Sequence, residues 1–202
     1  MTWSKNRDLE LFWPLRFLPQ EQDIREARIL TFGYNSSFRF GSGKTKMSVL
    51  DFAKDLLYEL KYGSEETEHG LEDLRMGERP ILFVVHSMGG LIVKEAYMQG
   101  LYDPAYQPIV QAVAAIAFLS TPHRGTNLAE SLNRILQVSF VGNPKQFIAD
   151  LAAGSHTLQK LNEQFRHVAS KLQIVSFYET RPTPVLRKSQ MVRMLVSKPS
   201  LF

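Results

Sequence analysis

The stretch that decides the fold is Pro80-Ile-Leu-Phe-Val-Val-His-Ser-Met-Gly-Gly-Leu-Ile-Val-Lys94. Its apolar run up to Val85 predicts a strand buried on both faces, and the residues from Gly89 onward predict a helix. Ser87 lies between the two, so the chain turns from strand to helix within one or two residues. On such a turn the serine side chain stands above the carboxyl edge of a sheet, and Gly89 and Gly90 allow the helix to lie close to the strand.

This arrangement is typical of the nucleophile elbow, whose usual pattern is G-x-S-x-G. Here the five residues are Val85-His86-Ser87-Met88-Gly89, so valine replaces the first glycine and could crowd the turn. We predict that Ser87 is a catalytic nucleophile and that the backbone N–H of Met88, at the helix N-terminus, stabilises an oxyanion. The alternative is an ordinary turn whose serine only caps the helix.

Outward from this turn, strand-like and helical segments alternate, which predicts a mostly parallel sheet flanked by helices. Ser48 and Asp51 form a capping pair at the start of one helix, and a glutamate-rich loop follows that helix. We expect a single domain over residues 1–202. The predicted strands are residues 27–34, 81–85, 112–119, 171–178 and 191–197, and the predicted helices are residues 48–62, 89–99, 127–138 and 144–169.

A serine nucleophile needs a base to remove its proton and an acid to hold that base. Glu179 directly follows the predicted strand 171–178 and fits the acid position, although a surface glutamate is an equal alternative and Asp150 is a weaker candidate. The histidines all precede Glu179, whereas a catalytic histidine should follow the acid in this fold. We expect His86 and His123 to shape the rim of the site. The histidines are His69, His86, His123, His156 and His167.

Several segments together resemble the serine-active-site-containing lipase-like proteins and the related hydrolase domains at the N-termini of fungal NOD-like receptor proteins. The resemblance implies an α/β-hydrolase fold and hydrolysis of carboxylic esters, with a lipid-like substrate. It also implies a location in the cytoplasm or on mitochondrial or endoplasmic-reticulum membranes. The segments are Leu11-Phe-Trp-Pro-Leu-Arg-Phe-Leu-Pro19, Arg28-Ile-Leu-Thr-Phe-Gly-Tyr-Asn-Ser36, His86-Ser-Met-Gly-Gly-Leu-Ile-Val-Lys94, Phe118-Leu-Ser-Thr-Pro-His-Arg-Gly125 and Ser176-Phe-Tyr-Glu-Thr180.

In the similar proteins the catalytic histidine follows the last strand, and a His-Gly-type loop before the first matching segment donates a second N–H to the oxyanion. This sequence shows neither feature. We therefore expect a partial hydrolase domain that lacks its first strands and its C-terminal end. A catalytically incomplete interaction or signalling module is the alternative function, and a histidine hydrogen-bonded to Ser87 would contradict the expectation of an incomplete site.

Composition excludes several other classes. The absence of cysteine excludes disulfides and thiolate metal sites, no His/Asp/Glu spacing indicates a metal, and no cofactor is expected. A net charge of +4 without a binding motif argues against nucleic acid. The apolar run at residues 113–119 is too short to span a bilayer, and the N-terminus does not read as a signal peptide. The acid-free, basic residues 180–202 suit either a solvated end or peripheral contact with an anionic membrane.

Two further patterns have simpler interpretations. Gly41-Ser-Gly-Lys-Thr45 resembles part of a phosphate-binding P-loop, but Phe38 occupies the position that requires a glycine. The N-terminal aromatic cluster could face lipid, although packing against the sheet is the commoner fate of such residues. The cluster consists of Trp3, Phe12, Trp13, Phe17 and Leu18.

Overall fold

The computed structural model describes residues 3, 8–34, 48–123, 155–177 and 196–197. The chain divides into two compact units, Met1–Asn35 and Ser36–Phe202. In the part of the chain that the structure describes, no helix is long and apolar enough to cross a membrane.

The first unit is built from short helical turns. The 3-10 turns Leu9–Leu11 and Leu18–Gln20 flank helix α1 (Trp13–Arg16), which begins where Pro14 can occupy the first turn without losing a hydrogen bond. The rings of Trp3 and Trp13 meet edge to face with their centroids 5.8 Å apart. Of the predicted aromatic cluster, this pair is packed together, whereas Phe17 is exposed.

The strand predicted at residues 27–34 is wrong. These residues form no strand in the structure, although the rings of Phe32 and Tyr34 lie 6.0 Å apart. Alternating apolar residues give a segment strand propensity, but a strand exists only where a second segment offers hydrogen bonds in register. Residues 27–34 have the strand propensity, but no described segment pairs with them as a strand.

The second unit is an α/β fold around one sheet, in which the described strands β3 (Ile81–His86), β4 (Val113–Leu119), β5 (Gln173–Phe177) and β6 (Val196–Ser197) are hydrogen-bonded in that order. The first three strands of this sheet are parallel, and the last is antiparallel to its neighbour. This confirms the predicted α/β class and the parallel sheet flanked by helices. In chain order the elements are α2 (Val49–Tyr62), β1 (Ser64–Thr67), β2 (Gly70–Asp73), β3 (Ile81–His86), α3 (Met88–Tyr102), α4 (Gln107–Gln111), β4 (Val113–Leu119), α5 (Ser155–Val168), β5 (Gln173–Phe177) and β6 (Val196–Ser197).

Helix α3 is the central helix of this unit. It contacts β3, α2, α4 and α5. Because neighbours surround it, its sequence is apolar on most sides rather than on one stripe. Among the described residues, the largest side chains that are almost completely buried are Leu91 and Ile92 of α3 and Ile116 and Phe118 of β4.

Helix α2 begins as predicted, with a reciprocal cap. The Ser48 hydroxyl accepts a hydrogen bond from the Asp51 N–H at 3.2 Å, and the Asp51 carboxylate accepts one from the Ser48 N–H at 2.7 Å. Two of the helix's unpaired N-terminal donors are thereby satisfied. The hydrogen bonds formed by Ser48 lower the pKa of Asp51.

The glutamate-rich stretch after α2 is not a simple loop. Strands β1 and β2 pair there as an antiparallel hairpin, with Thr67 opposite Gly70. Gly70 has a φ of +111°, a conformation that side chains strongly disfavour, and the Thr67 hydroxyl donates to its carbonyl at 3.0 Å. Glutamate is a poor strand former, which is why the composition of the stretch predicted a loop.

Several predicted elements fall wholly or partly outside the described residues. The predicted helix 127–138 and the first part of the predicted helix 144–169 lie there, as does most of the predicted strand 191–197. Where the structure describes the chain, α5, β5 and β6 coincide with predicted segments.

Candidate active site

Ser87 is the single residue between β3 and α3. Its backbone angles are φ 53° and ψ −122°, those of the first central residue of a type II′ turn, a position that favours glycine. Holding a residue with a side chain in such a conformation costs on the order of 1–3 kcal/mol. The strand-to-helix turn predicted from the sequence is therefore present, and its serine is strained.

The backbone of Ser87 is held by β4 and by the residues that follow it. The Ser87 N–H donates to the carbonyl of Leu119 at 2.9 Å. The Ser87 carbonyl accepts hydrogen bonds from the Gly90 N–H and from the Thr121 hydroxyl, each at 3.1 Å. Both polar groups of the strained residue are thus paired.

The side chain of Ser87 is not used to hold the turn. Ser87 is only 8% exposed, yet its hydroxyl does not cap α3. Among residues 8–34, 48–123 and 155–177, no side chain is hydrogen-bonded to this hydroxyl. The simpler interpretation of Ser87, a capping serine, does not describe this turn.

Met88 is the first residue of α3, and its side chain is buried. The first N–H groups of a helix have no partner within the helix, and the helix dipole places partial positive charge at this end. The N–H of Met88 belongs to the peptide that leads out of Ser87, and its role as an oxyanion donor remains a prediction.

Gly90 makes room for a residue after β4. A Cβ placed on Gly90 would collide with the side chain of Thr121, which is itself buried. The close approach expected between helix and strand is therefore a contact between α3 and the segment after β4. Val85, the departure from the usual pattern, is buried in β3 opposite Phe118, and the turn forms with valine in place.

Lys94 is a buried cation on α3, seven residues after Ser87, with only 3% of its surface exposed. Its Nζ lies 2.8 Å from His123 Nδ1 and donates to Asn162 Oδ1 at 2.6 Å. It also lies over the rings of Phe118 and Phe165, at 5.2 and 5.4 Å from their centroids. Burial lowers the pKa of Lys94 to about 7.

His123 bridges Lys94 to the sheet. Its Nε2 lies 3.2 Å from Ser176 Oγ on β5, and its ring meets that of Phe118 edge to face. Burial, followed by the nearby charge of Lys94, lowers the pKa of His123 to about 3. A charged lysine can only donate, so in that state Nδ1 accepts and the ring proton sits on Nε2, facing Ser176.

His123 is consequently a neutral link with both nitrogens engaged. Its predicted place at the rim of the site remains a prediction. His86 ends β3 opposite Leu119 and is half-buried, and its predicted place at the rim remains a prediction.

The other candidates are dispersed. Glu179 and Asp150 lie outside the described residues, so the predicted acid is untested. His69 lies in the turn of the hairpin and His167 in the last turn of α5, both exposed; His156 is on α5, where its side chain is not described. No group of three metal-binding side chains is arranged around a common point in the described ranges.

Sequence reasoning missed four side chains of this site: Lys94, Thr121, Asn162 and Ser176. One signal was present, because Lys94 is the single charged residue in the apolar start of α3 and shares a helix face with Ser87 and Gly90. The partners of Lys94 are 29 and 68 residues away along the chain, and no local pattern indicates such pairings.

Comparison with known proteins finds SERAC1 proteins of several organisms. Protein SERAC1 of Danio rerio is 32% identical over 186 residues, which cover 91% of this chain and 26% of that protein. The chain is similar to one segment of protein SERAC1. The mouse and human SERAC1 proteins are each 28% identical over 173 residues, or 85% of this chain and 24% of theirs.

The chain thus spans about a quarter of the length of the SERAC1 proteins that it matches. No protein-family profile and no solved structure matches it. The similarity to SERAC1 supports the predicted resemblance to serine-active-site-containing lipase-like proteins.

Proposed function

We propose that this chain carries the nucleophile turn of an α/β-hydrolase domain of the lipase or esterase type, with Ser87 as the nucleophile. The observation that supports this most is the backbone of Ser87, with φ 53° and ψ −122° directly between a parallel strand and a helix. Strain of this kind persists only where the surrounding structure enforces it, and it is concentrated at functional sites. A hydroxyl left out of the helix cap adds to the case.

In the proposed reaction, Ser87 Oγ attacks the carbonyl carbon of an ester while a base takes the hydroxyl proton. The negative charge on the carbonyl oxygen is stabilised by the Met88 N–H. The base then protonates the departing alcohol, and water hydrolyses the acyl-serine. Glu179 is the proposed acid that orients the base. No base is assigned, because no described side chain is hydrogen-bonded to Ser87 Oγ and both nitrogens of His123 are engaged.

The proposed substrate is a carboxylic ester with a lipid-like acyl chain, a proposal that rests on the resemblance to lipase-like proteins. The same resemblance supports a location on mitochondrial or endoplasmic-reticulum membranes, reached by peripheral contact of the basic residues 180–202. Fractionation of cells that express the tagged chain, with and without a high-salt wash, tests this location.

The test of the nucleophile is labelling with a fluorophosphonate, which reacts with activated serines. We expect a single label, located on Ser87 by mass spectrometry, and no label on Ser87→Ala. Ser120→Ala is the matched control, because Ser120 also has a positive φ, 52°, directly after a parallel strand. Undiminished labelling of folded Ser87→Ala would refute the assignment.

The alternative function is a catalytically incomplete module that binds a partner. It is favoured by the absence, among the described residues, of any base hydrogen-bonded to Ser87. A folded wild-type chain that takes up no label and hydrolyses no short-chain ester would favour this alternative.

A further inference from the structure

Lys94 is the group in this site that the proposed reaction does not use. Burying an ammonium group costs several kcal/mol unless it is well paired. The described residues supply two neutral hydrogen-bond partners and two ring faces, and none of the described carboxylates pairs with it. A methionine would fill this apolar space at less cost, so the presence of lysine calls for a role.

The pairing of Lys94 fixes the segment after β4. Ser120 turns there with a φ of 52° and donates its N–H to the Phe177 carbonyl at 2.7 Å. Three residues later, His123 is held from one side by Lys94 and from the other by Ser176. Thr121 lies between these two anchors, so its position follows from theirs.

Thr121 in turn holds the peptide that follows Ser87. Its hydroxyl donates to the Ser87 carbonyl at 3.1 Å, and the Gly90 N–H donates to the same oxygen at the same distance. That carbonyl and the Met88 N–H belong to one planar trans peptide and point in opposite directions. Fixing the carbonyl oxygen therefore fixes the direction in which the Met88 N–H points.

We infer that Lys94 and Thr121 are positioning residues: Lys94 anchors His123, His123 places Thr121, and Thr121 orients the Ser87–Met88 peptide whose N–H is the oxyanion donor. The inference concerns how this donor is aimed, and its catalytic consequence rests on the function proposed above. Gly90 is part of the device, because its missing side chain is what allows Thr121 to reach the carbonyl.

The test combines Thr121→Val, which removes only the donating hydroxyl, with Lys94→Met. In each variant we expect the maximal rate of fluorophosphonate labelling at Ser87 to fall by about 10- to 100-fold, less than or equal to the loss of a whole oxyanion donor. The concentration for half-maximal rate should be unchanged. Thr121→Ser keeps a hydroxyl and should retain most of the rate, and Lys160→Met, on the exposed face of α5, should match the wild type.

Two further measurements separate positioning from general damage. If the residues act in one sequence, the Lys94→Met/Thr121→Val double variant should be no slower than Thr121→Val alone. The amide ¹⁵N and ¹H shifts of Met88 should move in both single variants and not in Thr121→Ser. A folded Thr121→Val chain with the wild-type rate and unmoved Met88 shifts would overturn the inference. If wild-type Ser87 takes no label, the proposed function fails, while the Met88 shifts still decide whether Thr121 and Lys94 orient this peptide.

Discussion

The chain turns abruptly after β3 and after β4, at Ser87 and at Ser120. Each serine follows a parallel strand, has a φ near 50°, and donates its N–H to the last residue of the next strand, Leu119 or Phe177. Sheet hydrogen bonding thus continues for one residue after the chain has begun to turn away. The difference is that only Ser87 is followed at once by a long helix, which gives it unpaired N–H groups beside its side chain.

Lys94 and His123 make stability depend on pH. In the folded chain both pKa values are lowered, to about 7 and about 3, so the unfolded chain binds more protons between pH 7 and 10.5 and between pH 3 and 6.5. More protons on the unfolded state means that stability rises with pH in each window. The part of the free energy of unfolding that depends on Lys94 ionisation is greatest above pH 10.5, where the unfolded chain also has a neutral Lys94, and it is lost as the pH falls toward 7.

We therefore expect the free energy of unfolding of the wild type, relative to Lys94→Met, to decrease by on the order of a few kcal/mol as pH falls from about 10 to 7. Urea unfolding of both proteins at a series of pH values measures this difference, and titration of other groups cancels in the comparison. A difference that stays constant over the range would mean that Lys94 titrates normally in the folded chain.

At the scale of elements, α2 is stabilised by its Ser48–Asp51 cap, which a single substitution can test. Ser48→Ala removes the hydroxyl that accepts from the Asp51 N–H and should lower the free energy of unfolding by about 1 kcal/mol. Thermal and urea unfolding measure the change. Ser64→Ala, an exposed serine at the start of β1, is the control and should be nearly neutral. Equal effects from both would contradict the capping role.

The elements that could be predicted are those whose signals are local. The Ser48 cap, the apolar runs of β3, β4 and β5 and the turn at Ser87 each depend on residues within a few positions of one another. The hairpin of β1 and β2 was missed because its stability comes from pairing and a glycine turn rather than from residues with high strand propensity.

Only the part of the site formed by neighbouring residues could be predicted, for the same reason. Ser87 and Met88 are neighbours in the sequence, and their geometry follows from one turn. The contacts of Lys94 and His123 join α3, α5, β5 and the segment after β4. Such contacts depend on how whole elements pack against one another, so they cannot be predicted from the spacing of residues along the chain.

At the scale of the whole molecule, β3 ends the sheet formed by the described strands. A strand edge with unpaired backbone groups is a template for association, and Leu82 on β3 is 61% exposed beside it. We expect the chain to self-associate and Leu82→Lys to reduce this, because lysine discourages pairing at strand edges. Sedimentation velocity at several concentrations measures the effect.

The control for this prediction is Leu71→Lys. Leu71 is 78% exposed but lies on strand β2, which belongs to the separate two-stranded sheet of the hairpin. If both variants reduce association equally, exposed leucine in general is responsible, and the role assigned to the β3 edge is wrong.

Lys94, His123, Asn162 and Ser176 are joined by hydrogen bonds but lie far apart in the sequence, so they are synthesised at different times. Helix α3 and the serine turn are made before Asn162 and Ser176, and Asn162 lies 68 residues after Lys94. Domains fold during synthesis as their segments emerge, and contacts between distant residues wait for the later partner. A nascent chain therefore carries the serine well before it carries the groups that hold Lys94 and His123, and any reactivity that depends on these contacts arises only after Asn162 and Ser176 have been made.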